Sequence, residues 1–145
     1  MDKKEYLSRY HESELKIKRL QRLHDEYIRL SFNVPGCNFE QIRVSGSRNL
    51  ESPHAKWIHK AMDVDYEINQ LKTNLLQIKH EILDCISELD NPEYERLLIY
   101  RYIDWLNWRD IADKMFYSQA TIRRWHDLAL DEIKVPEILS SDEQQ

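Results

Sequence analysis

Asn107-Trp-Arg-Asp-Ile-Ala-Asp-Lys-Met-Phe-Tyr-Ser-Gln-Ala-Thr-Ile-Arg-Arg-Trp-His126 carries the apolar spacing of a helix-turn-helix. The motif needs a small residue where two helices approach, and apolar residues facing inward on both sides of a tight turn. Ala112 supplies the small contact. Ile111 and Met115 face inward from the first helix, and Tyr117, Ile122 and Trp125 complete the interior. Asn107, with Asp110 three residues on, resembles a capping box and starts a helix predicted over Trp108 to Met115. Ser118 caps the next helix, predicted over 119–133, with Gln119, Ala120 and Thr121 in its first turn and Arg123 and Arg124 one turn later. With Ile122 and Trp125 turned inward, the polar side chains between them form an exposed face of the kind that enters a DNA groove.

One position departs from the motif. The turn commonly holds glycine in a left-handed conformation, and Phe116 stands there, at a cost of about 1 kcal/mol or more if that geometry is kept. The turn is therefore expected to be longer or more open, or the pair Phe116 and Tyr117 to offset the cost by packing. Trp108 and Trp125 read as core residues rather than base-stacking ones, and His126 as a surface residue near phosphate.

Upstream, Asp90-Asn-Pro-Glu is a sharp boundary: Asn91 is a good N-cap, Pro92 suits the first helical position, and Glu93 and Glu95 complement the positive helix end. A helix through Tyr94–Ile103 follows, with a turn at Asp104-Trp-Leu-Asn. Before the boundary, Ala61, Val64, Ile68, Leu71, Leu75, Ile78, Ile82, Cys85 and Leu89 alternate steps of three and four, a heptad seam of about four heptads. Residues 2–31 form another amphipathic helix, with Tyr6, Tyr10, Ile17, Leu20 and Tyr27 on one face and Leu23 and Leu30 offset from it. The seam helix pairs with residues 2–31 folded back antiparallel, with a second chain, or with both; helices of roughly 45 and 50 Å permit the hairpin. Both glycines and two prolines cluster between Ser31 and Pro53, which reads as a long loop.

The expected fold is all-α: a long helical hairpin or coiled coil followed by a C-terminal three-helix helix-turn-helix domain. Its parts are a coiled-coil region over 1–90 with a loop at about 32–53, the helix-turn-helix over 91–134, and an acidic flexible tail over 135–145. Only two glycines and four prolines in 145 residues, with 32% charged residues, agree with long solvated helices. No apolar run approaches the roughly 18 residues of a membrane span, and Met1-Asp-Lys-Lys-Glu lacks the apolar core of a signal peptide, so a cytoplasmic location is expected. Cys37 and Cys85 are isolated, which argues against a zinc site or disulfide framework. No glycine-rich phosphate loop, GxSxG, HExxH or Cys-His arrangement is present, so no enzyme, metal or cofactor is expected.

Charge tempers the groove reading. Residues 91–134 hold seven Lys and Arg against eight Asp and Glu, whereas most nucleic-acid-binding domains have a clear basic excess. A single copy should bind DNA weakly.

Residues 107–133 resemble, without a gap, the C-terminal helix-turn-helix of sigma-70-type factors, region 4, and the ending Ala129-Leu130-x-x-Ile133 belongs to that likeness. Several wider features extend it: the charged helical N-terminal half, Glu88-Leu-Asp-Asn-Pro-Glu-Tyr-Glu-Arg96, Arg101-Tyr-Ile103, and Trp125-His126 in the third helix. In these the chain is similar to phage-encoded sigma-like transcription regulators of Gram-positive bacteria, late-gene activators of the RinA and ArpU type being the nearest in function. The resemblance covers about residues 60–134. It implies major-groove contacts at Gln119, Ala120, Arg123 and Arg124, with Lys114 and Thr121 on phosphate and Ser118 beside them. Gln119 and Ala120 stand where sigma factors often have a long charged pair, so the base preference of a −35 element does not carry over.

The expectation is a phage or prophage transcription regulator in the host bacterial cytoplasm. Its implied partners are double-stranded DNA, RNA polymerase and a second copy through the coiled coil, and no membrane. Two alternatives stand beside it. One is a small terminase-like DNA-packaging subunit, although those usually carry the DNA-binding part first. The other is a helical interaction module that does not bind DNA, favoured by the neutral charge.

Overall fold

In the computed structural model the described residues are 1–33 and 52–136, and all their regular structure is helical. The elements are α1 (Lys3–Phe32), α2 (Pro53–Ser87), α3 (Pro92–Leu98), which continues into a π-helical turn at Ile99–Ile103, α4 (Trp108–Met115) and α5 (Gln119–Glu132). Most of the loop expected at about 32–53, Cys37 within it, and most of the acidic tail lie outside the described residues.

The chain forms two compact units: Met1–Glu14 with Asn74–Gln145, and Leu15–Thr73. In the second, Tyr27 stacks on Trp57 with ring centroids 5.7 Å apart, Lys60 Nζ sits 4.9 Å from the Trp57 ring, and His54 Nδ1 lies 2.8 Å from the Ser31 carbonyl. In the first, Arg9 pairs with Glu81 at 3.1 Å, Lys79 lies over the Tyr10 ring, and Tyr6 Oη faces Cys85 Sγ at 3.9 Å. Within each unit, rising numbers on α1 meet falling numbers on α2, so the pairing is antiparallel and within one chain. The seam behaves as its spacing requires. Ala61, Val64, Ile68, Ile82, Cys85 and Leu89 are buried, and Leu71, Leu75 and Ile78 are half-buried. Cys85 is a small buried thiol, pushed up in pKa first by burial.

The first unit has two apolar clusters. One gathers Tyr6 and Leu7 of α1, Ile82, Cys85 and Ile86 of α2, Leu89, Leu98 and Tyr102, and Ala129, Leu130 and Ile133 from the end of α5. The other joins Leu97, Ile111, Ala112, Met115 and Ile122, with Trp108 and Trp125 packed against it. Leu97 and Leu98 are neighbours in sequence, but successive helical residues point about 100° apart, so α3 feeds both clusters.

The π-turn is set by two backbone bonds: Asp104 N–H donates to the Ile99 carbonyl at 3.1 Å, and Leu106 N–H to the Tyr100 carbonyl at 2.9 Å. It buries Tyr102 and brings the Arg101 guanidinium to the Leu106 carbonyl at 3.0 Å. The chain then turns through Trp105, at φ 52°.

Candidate nucleic-acid interface

Capping is as the sequence implies. Asn91, Asn107 and Ser118 are extended residues whose side chains accept from the backbone N–H groups of Glu93, Asp110 and Thr121 at 3.0, 2.8 and 3.2 Å. Each satisfies a donor that the first helical turn leaves open. The helix over Trp108–Met115 has the predicted limits, and Ile111, Ala112, Met115 and Ile122 are buried as predicted.

The turn differs from expectation. It is neither longer nor more open: Phe116 takes the left-handed conformation, φ 60° and ψ 38°, and its N–H caps the Ala112 carbonyl. Packing does not offset the strain at Phe116, whose side chain is 92% exposed. Tyr117 is only partly interior. It is 42% exposed, although its ring meets Trp125 edge-on at 4.5 Å.

His126 is the clearest correction, because it is core rather than surface. It is 5% exposed, its Nε2 lies 2.7 Å from Tyr102 Oη, and Trp108 packs edge-on against its ring at 4.8 Å. A short polar pair is admissible there because each group satisfies the other. Burial lowers the His126 pKa below its ordinary 6.5 and pushes Tyr102 up to about 12.

Of the seven residues expected to touch DNA, six lie in the N-terminal half of α5 or at its cap, and Lys114 lies in the last turn of α4. Lys114, Ser118, Gln119, Ala120, Arg123 and Arg124 are exposed; Thr121 is half-buried, its hydroxyl 2.8 Å from Ser118 Oγ. Among the described residues, Lys114, Arg123 and Arg124 have no acidic partner within ion-pair distance. Two of these cations instead rest against rings: Lys114 Nζ is 5.5 Å from the Tyr100 ring, and the Arg123 guanidinium is 5.9 Å from the Trp108 ring. Arg101 lies 4.3 Å from the same Trp108 ring. Sequence spacing marked Trp108 as core and missed its second use as a support for Arg123; that contact depends on how α4 crosses α5. The first turn of α5 holds no acidic residue, which leaves its positive end uncompensated from within the helix. The acids Asp127, Asp131 and Glu132 stand toward the other end.

A family model described as "Protein of unknown function (DUF1492)" matches residues 41–134, more than half of the chain, and the chain belongs to that family. No curated protein and no solved structure matches it. No described helix is long and apolar enough to cross a membrane, and no three described His, Cys, Asp or Glu side chains group to hold a metal ion.

Proposed function

We propose that this chain is a DNA-binding transcription regulator of phage or prophage origin. It recognises promoter DNA in the major groove through α5 and acts with RNA polymerase or as an oligomer in the host cytoplasm. The observation that carries the reading is the pair Arg123 and Arg124, exposed and without acidic partners among the described residues, one turn into a helix fixed by its cap and by buried Ile122. Unpaired arginines on a rigid element suit bidentate contacts to guanine or phosphate, and Gln119 suits adenine. The origin and the polymerase partner rest on the resemblance of residues 107–133 to sigma region 4.

The near-neutral charge of 91–134 limits the affinity of one copy, so a second copy or polymerase supplies the remainder by raising the effective concentration. In a fluorescence-anisotropy titration against DNA upstream of neighbouring operons, binding should weaken steeply with salt. Arg123→Ala should cost about 1–3 kcal/mol at a single base position. Unchanged binding after replacing both Arg123 and Arg124 would remove α5 from the reading. Mass by light scattering and the titration together separate the alternatives: a ring-sized oligomer favours DNA packaging, and a chain that binds no duplex in the titration is an interaction module.

A further inference from the structure

Phe116 and Trp105 are the two described non-glycine residues with positive φ, at 60° and 52°. They bracket α4, and both bear the steric penalty of a Cβ in the left-handed region. Their surroundings differ. Trp105 stacks on His11 with ring centroids 3.8 Å apart and planes 2° from parallel, meets Tyr102 edge-on, and has the Arg101 guanidinium 5.6 Å from its ring. Its conformation is held by contacts inside the unit. Among the described residues Phe116 has no ring or cation contact of this kind, and it leaves 92% of its surface in water. The chain thus keeps a strained backbone and an exposed phenyl ring together, where glycine would relieve the first and remove the second.

What surrounds Phe116 in the chain indicates what covers it. It lies two residues before the Ser118 cap, two after Lys114 and three after exposed Asp113; beyond the cap stand exposed Gln119, Ala120, Arg123 and Arg124, so the nearby cations outnumber that acid. Cations without acidic partners suit a polyanion better than a second apolar protein surface. We infer that Phe116 is a further DNA-contacting residue, placing its ring against the apolar parts of the duplex that the α5 contacts adjoin, a thymine methyl or a deoxyribose. Phenylalanine is among the side chains that read the thymine methyl in the major groove. The inference rests on the DNA-binding reading above and adds to it a contact that depends on neither charge nor hydrogen bonding.

The test uses the full chain and a duplex selected by it from a randomised pool, prepared with thymine and again with deoxyuridine. Phe116→Gly and Phe116→Asn, both tolerant of positive φ, should melt at or above the wild-type temperature yet bind the duplex about tenfold more weakly. If wild type loses affinity on the deoxyuridine duplex and Phe116→Gly does not, the ring contacts the methyl. Equal wild-type affinity for both duplexes, with the variants still weaker, assigns it to the sugar. Should both variants bind as wild type does while Arg123→Ala loses affinity, the inference is overturned and the α5 reading stands. Loss of a dimer in light scattering with DNA affinity unchanged would overturn it in favour of self-association. Selection of no duplex even at low salt would remove the DNA-binding reading itself and this inference with it.

Discussion

Protonating His126 within the folded chain would place a cation against Tyr102 and Trp108 with almost no access to water. Burial is the first cause of its lowered pKa; Asp127 opposes it, and Lys4 and Arg101 act in the same direction as burial. The unfolded chain takes up this proton near pH 6.5 and the folded chain only at lower pH, so protons favour unfolding. The contribution is complete above about pH 6.5 and is lost as pH falls from there toward the depressed folded value. Urea midpoints at about pH 7.5 and about pH 5.5 should therefore differ, with the lower pH less stable, and His126→Gln should narrow the gap. An unchanged gap would show that another group controls the acid limb. Helical spacing carried a signal for the core position: His126 stands four residues after Ile122 and three before Ala129, on the buried stripe of α5. Its polar partner was not legible, because Tyr102 lies 24 positions earlier and the π-turn carries it into reach of the imidazole.

At the scale of elements, the helix starts were legible because each depends on a few adjacent atoms. Asn91, Asn107 and Ser118 act within three residues of their own position. Ser118→Ala removes the acceptor for Thr121 N–H and should cost about 1 kcal/mol, read as a shift in the urea midpoint at unchanged slope. On the proposed DNA-binding reading, a loss of DNA affinity larger than the loss of stability would mean that the hydroxyl also touches the duplex. The π-turn at Ile99–Ile103 was not legible, because Tyr94–Ile103 reads as helix whether the chain closes four-residue or five-residue turns. Only the bonds from Asp104 and Leu106 distinguish them. The turn at Phe116 lay between these cases: its conflict with the motif was visible in sequence, but its resolution was not. Local chemistry favours opening the turn, whereas buried Ala112, Met115 and Ile122 hold α4 and α5 at the distance a tight turn requires. Spacing alone put Arg123 and Arg124 on an exposed face, and the resemblance to sigma region 4 added Lys114. The seating of Lys114 on Tyr100 and of Arg123 on Trp108 was not legible, since each ring lies on a different element from its cation.

Within the larger assembly of elements, the helix-turn-helix depends on residues more than a hundred positions away. Ala129, Leu130 and Ile133 share one cluster with Tyr6 and Leu7 of α1 and Ile82 and Ile86 of α2. Lys3 Nζ donates to the Leu130 and Asp131 carbonyls at 2.8 and 3.3 Å, a cation at the negative end of a helix that has no basic residue in its own last turn. The motif's spacing could not reveal this dependence, because residues 107–133 look complete by themselves. Leu7 is fully buried, and Leu7→Ala should cost about 2–5 kcal/mol, a large fraction of the roughly 5–15 kcal/mol available to a domain. On the proposed DNA-binding reading, the variant should also lose DNA affinity on warming although it leaves the α5 face untouched. A fragment of residues 91–136 makes the same case more directly. It keeps the Leu97, Ile111 and Ile122 cluster but exposes the apolar end of α5, so it should lack a cooperative thermal transition and a near-ultraviolet dichroism signal. Cooperative melting at the full chain's temperature would show instead that residues 91–136 suffice and that α1 and α2 add nothing to their stability. If the fragment regains its signal on adding a peptide of residues 1–14 with a helical segment of residues 74–90, the dependence lies in that shared cluster.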